Sequence, residues 1–440
     1  MSSSTAARAR VEDHRPGAEK AGWRERLAQK AVLARLARLG VGRLEMIMPD
    51  GGRLTFGPGG APEARLVVHH PRFFWRLLAA SDVGAGESFM AREWDSPDLP
   101  GLVRLFSANA AVLDTPSLFS RLGGLWGRLQ QARRRNTRLG SRRNVAAHYD
   151  LSNEFYRLFL DPGMTYSAAL FEHPGQGLEA AQHAKLQAIA AKARLRPGLR
   201  VLEIGCGWGS FAELAARLYG CHVTGLTLSE AQAGYARARF QRAGVADRAE
   251  VRIEDWRDAA GSYDRIVSIE MLEAVGHEYL GAFFAAVDRL LAPGGIAVVQ
   301  TITIADQRYD AYRRGTDFIR RYIFPGGHLP SLSVITGVLA RRTRLVVRDV
   351  ESLGPHYART LRRWRERFVA NRERVFALGF DDRFCRMWEF YLGYCEGGFE
   401  AGVLDDLQLV LARPGCEGGA GEDSRAGRRG SSDEPSTFDS

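Results

Sequence analysis

The run Val201-Leu202-Glu203-Ile204-Gly205-Cys206-Gly207-Trp208-Gly209-Ser210 sets a carboxylate and three alternating glycines at the end of an apolar strand pattern. Glycine tolerates positive φ and has no Cβ, so a ligand can lie directly against such a turn. The next residues, with Phe211, Leu214 and Leu218 on one expected face, read as an amphipathic helix. Its unpaired N-terminal N–H groups would face the polar parts of that ligand. Together these form the strand–turn–helix opening of a nucleotide-binding α/β domain. A dinucleotide turn reads G-x-G-x-x-G, with an acidic residue about 20 positions on for the ribose. Here the spacing is G-x-G-x-G, and the second strand, Cys221 to Ser229, ends without a carboxylate. Both points disfavour a dinucleotide. A turn that only packs strand on helix is the blander alternative.

Glu203-x-Gly205-x-Gly207-x-Gly209 instead resembles the first motif of class I S-adenosylmethionine (SAM)-dependent methyltransferases. The resemblance implies a Rossmann-like α/β fold with a seven-stranded, mostly parallel sheet. The rest of the pattern agrees. A third short strand precedes Glu254-Asp255-Trp256, where this fold holds the adenine. A fourth strand is expected over Tyr263 to Glu270 and a fifth over Leu291 to Gln300. Strands alternating with helical segments favour a parallel sheet with helices on both faces.

A chain of 440 residues exceeds one ordinary domain. The organisation expected is a disordered 1–20, a small α+β unit over 21–120, a basic linker over 121–144, a catalytic domain over 145–413 and a disordered tail over 414–440. Residues 22–39 read as a basic amphipathic helix, suited either to an anionic membrane or to packing on its own domain. The linker holds eight arginines between Arg121 and Arg143 and no acidic residue. No nucleic-acid module accompanies it, so with the net charge of +10 it points to an anionic membrane surface rather than to nucleic acid. A solvated charge run is the alternative. Five cysteines without CxxC pairing support neither a disulfide framework nor a metal site. With no signal-peptide core and no membrane-spanning apolar run, the expectation is a cytoplasmic protein, peripherally associated with the inner face of the membrane.

The segment His148 to Pro162, followed by Met164-Thr165-Tyr166-Ser167, adds a longer likeness. With the glycine turn, Thr227-Leu228-Ser229-Glu230-Ala231-Gln232, Glu270-Met271-Leu272-Glu273-Ala274-Val275-Gly276, Tyr322 to Gly327, Pro355-His356-Tyr357 and Tyr391 to Glu396, it resembles the cyclopropane-fatty-acyl-phospholipid synthase family, which includes the mycolic-acid cyclopropane synthases. The likeness is strong over about 145–412 and looser over 42–112. It implies methyl transfer from SAM to a cis double bond of an unsaturated acyl chain, usually in a phospholipid. It also assigns SAM binding to Tyr149, Tyr166, Ser167, Glu203, Gly205, Gly207, Gly209, Thr227, Leu228, Gln232, Asp255 and Trp256.

An alkene is a weak nucleophile with no proton to remove, so catalysis must align it with the sulfonium methyl in a dry site and surround the cation that follows. Aromatic faces suit this. The expected lipid-binding insertion, about 305–345, supplies Tyr309, Tyr312, Phe318, Tyr322 and Phe324. The later helices supply Trp364, Phe368, Trp388, Phe390, Tyr391, Tyr394 and Phe399. Taken singly, each is best read as core.

A proton must then leave, and the resemblance implies a bound bicarbonate as base. Its contacts carry over as Glu273, the N–H of Ile302 and Tyr357. Two positions depart: Ala168 replaces a cysteine, and Gln300 replaces a histidine. Ala274 also replaces a histidine. Cys395 falls on a cysteine often named in the family's active site, although a thiol among aromatics is equally a packed residue. The Gln300 and Glu273-Ala274-Val275-Gly276 forms are similar to the branch making methyl- or methylene-branched chains, finished by a separate reductase. A cyclopropane product, a branched product and an inactive lipid-binding homologue therefore stay open, as do a reductase partner and a homodimer.

Overall fold

The computed structural model describes residues 22–113 and 151–415. The N-terminal segment 1–20, the basic stretch 121–144, Tyr149 and nearly all of the tail lie outside the described residues.

The first sheet has the order β2–β1–β3–β4, built from β1 (Gly42–Ile47), β2 (Arg53–Gly59), β3 (Glu63–Val68) and β4 (Trp94–Asp95). In β1, Leu44 and Met46 are buried at alternate positions, the period that a one-sided sheet requires. β2 has no such alternation. It is an edge strand containing Gly57, Pro58 and Gly59, which is why its sequence carries no strand signal. Four helices cover this sheet: α1 (Trp23–Leu36), α2 (Arg72–Met90), α3 (Leu99–Ala108) and α4 (Ala110–Leu113). α1 divides along its length. Ala28, Val32 and Leu36 are buried, whereas Trp23 and Leu27 are 68% and 59% exposed.

The second sheet has seven strands in the order β10–β11–β9–β8–β5–β6–β7. β5 (Arg200–Ile204), β6 (His222–Thr227), β7 (Ala249–Ile253), β8 (Tyr263–Ile269) and β9 (Leu291–Ile304) run parallel. β10 (Val346–Ser352) and β11 (Leu404–Ala412) pair antiparallel at one side, with β11 against β9. This is the expected Rossmann-like class I arrangement, although β9 continues to Ile304 and carries Gln300 and Ile302 within the strand. The helices that follow the first four are α5 (Asn153–Arg157), α6 (Leu178–Lys192), α7 (Ser210–Tyr219), α8 (Glu230–Arg242), α9 (Leu280–Leu290), α10 (Asp306–Arg314), α11 (Leu332–Arg342), α12 (Gly354–Ala370), α13 (Arg372–Ala377) and α14 (Asp382–Glu400).

One expectation about α7 needs correction. Phe211 and Leu214 are buried, but Leu218 is 50% exposed. It sits in the last turn, before Gly220 at φ 63° ends the helix, and Ala215 and Ala216 take the buried positions instead.

The first sheet and its helices share one aromatic-rich core with the C-terminal helices, while the large sheet packs its two faces in separate clusters. Phe390 of α14 lies 5.6 Å from Phe89 of α2 and 4.6 Å from Phe318, ring centroid to centroid. Buried Arg386 of α14 donates to the carbonyl of Trp94 at 3.2 Å and to Asp95 at 2.6 Å, with its guanidinium 3.9 Å from the Phe89 ring centroid. Such charge-assisted contacts hold the small sheet firmly onto the C-terminal helices.

Candidate active site

Ligands of open α/β sheets bind beyond the carboxyl ends of the parallel strands. Here a cavity of about 170 Å³ opens at the ends of β5, β6, β7 and β8. Of the expected SAM residues, Tyr166, Ser167, Glu203, Gly205, Gly207, Thr227, Leu228, Gln232, Asp255 and Trp256 line it. Gly209 does not.

The three glycines have three different reasons. All have positive φ, at 84°, 53° and 84° for Gly205, Gly207 and Gly209. A Cβ on Gly205 would lie 2.6 Å from Met271, and one on Gly209 would lie 3.0 Å from Ala236 of α8. A Cβ on Gly207 would meet nothing within 4 Å. Gly205 and Gly209 therefore permit packing, while Gly207 leaves open space at the cavity wall.

Polar groups around this cavity suit a ligand carrying both charge signs. Glu203 is buried, its Oε2 has no hydrogen-bond partner, and burial pushes its pKa up to about 8. Lys185 is buried on α6, donates to Ser167 Oγ at 2.8 Å, and is pushed down to about 8 by desolvation. Thr227 donates to Gln232 at 2.9 Å, and Arg257 holds Asp255 at 2.7 Å beside the buried Trp256. An unpartnered carboxyl oxygen of Glu203, open backbone at Gly207 and an aromatic wall fit the sulfonium nucleoside SAM.

A second cavity of about 770 Å³ lies between the first sheet's helices and the C-terminal helices. Leu36, Leu77 and Leu102 line its N-terminal side, and Phe390, Tyr394 and Phe399 its C-terminal side. Tyr312, Phe324 and Tyr391 also face it. Tyr309, Phe318, Tyr322, Trp364, Phe368 and Trp388 are instead packing residues outside its wall. The N-terminal contribution was absent from sequence reasoning, because no local motif marks two units that meet through packing.

Tyr166, Glu270 and Ala274 border both cavities. Glu270 follows β8 with φ 49°, a strained value for a residue other than glycine. Its Oε1 accepts the Ala168 N–H at 2.7 Å and Gln300 Nε2 at 2.9 Å, and its Oε2 accepts the Tyr357 hydroxyl at 2.7 Å. Gln300 Nε2 also donates to Asp406 at 2.8 Å, and Gln408 donates to Gln300 Oε1 at 3.1 Å. Burial raises the Glu270 pKa against the pull of these donors.

Glu273 is held separately. Its Oε1 accepts Thr301 Oγ1 at 3.0 Å and the Ile302 N–H, while its Oε2 has no partner. Burial and the charge of Glu270 push its pKa up to about 8. Cys395 lines the large cavity, half-buried, and desolvation pushes its thiol well up.

The residues do not fit a bicarbonate ion. Ala168, Gln300 and Tyr357 direct their donors at the Glu270 carboxylate, and the Ile302 N–H is taken by Glu273. Sequence reasoning missed Glu270, Lys185 and Asp406. The signal available for Glu270 was its place at the carboxyl end of a parallel strand.

Fold and site together define a SAM-dependent methyltransferase with an apolar acceptor cavity. The mycolic acid cyclopropane synthetase family matches residues 136–409, and the chain belongs to it. It is 40% identical over 380 residues to the tuberculostearic acid methyltransferase of Mycobacterium tuberculosis (strain ATCC 25618 / H37Rv), covering 84% of this chain and 88% of that protein. It is 36% identical over 366 residues to the cyclopropane-fatty-acyl-phospholipid synthase of Escherichia coli (strain K12), covering 82% and 90%. Among solved structures, mycolic acid cyclopropane synthase CmaA1 in complex with SAH and CTAB aligns with a TM-score of 0.58 and 36% identity, covering 61% of this chain and 97% of that one.

Proposed function

We propose that the protein transfers a methyl group from SAM to a cis double bond of an unsaturated fatty acyl chain, esterified in a phospholipid, to give a cyclopropane ring. The observation that carries this reading is the meeting of the two cavities. A small pocket with charged side chains in its wall and a large apolar one share Tyr166, Glu270 and Ala274 in their linings. SAM, when bound, supplies an electrophilic methyl on a positively charged sulfur. Residues of the glycine turn, with Ser167, Thr227, Gln232 and Asp255, would hold it.

The protein's own contribution is to seat the acyl chain, exclude water and face the developing positive charge with aromatic rings and carboxylates. Tyr166 and Tyr391, both in the wall of the large cavity, are linked hydroxyl to hydroxyl at 2.9 Å, which pairs their polar ends.

A second reading, a methyl- or methylene-branched product completed by a reductase, rests on Gln300 and the Glu273-Ala274-Val275-Gly276 form, together with a relative named for tuberculostearic acid. Mass spectrometry of lipids from expressing cells separates the two. A ring at the former double bond supports the first reading, and a branched chain supports the second. Radiolabelled SAM with unsaturated phospholipid vesicles tests both, since no label in lipid overturns them together and leaves a lipid-binding homologue.

Exposed groups on α1 support a membrane-facing role for this helix. Trp23 and Leu27 are exposed beside exposed Arg24, Arg26 and Lys30, and Val32, Arg35 and Leu36 of the same helix border the large cavity. An acyl chain would thus enter next to a basic surface that attracts anionic headgroups. Among the described residues, no helix is long and apolar enough to cross a membrane.

A further inference from the structure

Two side chains at positions that the family likeness assigns to an external anion, Gln300 and Tyr357, converge here with the Ala168 N–H on one side chain. The Ala168 N–H and Gln300 Nε2 can only donate, and both reach Glu270 Oε1, at 2.7 and 2.9 Å. Burial pushes the Tyr357 hydroxyl well above its usual range, so it remains a donor to Oε2 at 2.7 Å. This donor set suits an ionised carboxylate, held by three hydrogen bonds in the lining that the two cavities share. The strained backbone at φ 49° persists because those contacts over-determine it.

We propose that Glu270 is the general base of the reaction, a carboxylate of the chain standing in the place of bicarbonate. The proposal rests on the reading that the enzyme methylates an acyl double bond. In that step the carbon–sulfur bond breaks with its electrons retained by sulfur. The π electrons form the new carbon–carbon bond, leaving a cation on the neighbouring carbon. Glu270 then accepts a proton from carbon, and the C–H electrons close either a ring or a methylene double bond. Charge balances, since the sulfonium cation becomes a neutral thioether and the proton resides on Glu270. Burial makes Glu270 more basic than an exposed carboxylate, which suits removal of a proton next to a cation.

Gln300 and Tyr357 are positioning residues in this scheme. Asp406, the other acceptor of the Gln300 amide, is forced well up by burial and by the charge of Glu270. It therefore tends to keep its proton and leaves the charge on Glu270.

The test compares wild type, Glu270→Gln and Glu270→Gly in labelled methyl transfer to unsaturated vesicles, with bicarbonate stripped from the buffer and then restored. Calorimetry with SAM and with bicarbonate supplies a readout independent of turnover. The expected result is a wild-type rate unchanged by stripping, with no bicarbonate heat. Glu270→Gln should retain SAM affinity but lose about 100-fold or more in turnover. Glu270→Gly should regain part of its rate with added formate or bicarbonate. A wild-type rate that falls on stripping and returns on restoration overturns the proposal, as does full turnover by Glu270→Gln. Absence of label with wild type in every buffer overturns the underlying reading instead, and this one with it.

Discussion

The two cavities of this protein are built on opposite principles. The cofactor pocket hangs on the carboxyl ends of parallel strands, where backbone geometry fixes Gly207, Glu203 and Thr227 within short sequence motifs. The acyl cavity exists only because α2 and α3 of the first sheet pack against α14, and its walls come from residues hundreds of positions apart. A local motif can specify a polar cradle, whereas an apolar volume is specified by the meeting of surfaces. A change in one cavity should therefore leave the other's binding intact, except at the residues they share.

The largest break expected is Gly207→Val. It forces a β-branched residue into φ 53° and fills the open wall, so SAM affinity should fall by about 100-fold or more in calorimetry. Binding of a fluorescent fatty acid to the same variant should hold. Loss of both would refute the independence of the cavities.

Next in size is Glu273. Its raised pKa keeps it largely protonated at neutral pH, so Glu273→Gln should stay within about threefold of the wild-type rate. Glu273→Ala, which strands the Ile302 N–H and the Thr301 hydroxyl, should lose about tenfold. Equal losses in the two variants would assign Glu273 a charged role.

Val103→Phe tests the second cavity alone. The added ring narrows a wall on the α3 side and should raise KM for long acyl chains about fivefold, with unchanged SAM affinity. A preference unaltered between long and short chains would place the acyl path elsewhere. The smallest effect is at the surface. Leu27→Ala removes exposed apolar area from α1 and should weaken sedimentation with anionic vesicles about threefold, leaving turnover on detergent-dispersed lipid unaltered.

The same contrast explains what could be read from the chain in advance. The parallel strands β5, β6 and β8 are short segments rich in β-branched and apolar residues bounded by turn residues, so they were visible as patterns, and the glycine turn located the cofactor. β2 was invisible because an edge strand of Leu54, Thr55, Phe56 and Gly57 buries nothing in alternation. At the site, Glu273, Ile302, Gln300, Ala168 and Tyr357 were each identified one at a time. Their sequence positions could not disclose that Ala168, Gln300 and Tyr357 meet at Glu270, since that convergence joins β8, β9, α12 and the loop after Asp161. Leu218 misled for a simpler reason: helical periodicity does not say where the covering sheet stops.

β11 is the last strand of the described residues, yet it lies inside the sheet, between β10 and β9. Asp406 and Gln408, which grip Gln300 from either end of its amide, both belong to it. During synthesis, every other strand of the large sheet emerges from the ribosome with that slot vacant. The SAM pocket can take shape on a nascent chain, whereas the amide that orients the shared carboxylate gains its support only when β11 enters the sheet. Methyl donor binding would thus precede competence for proton removal in the life of each molecule.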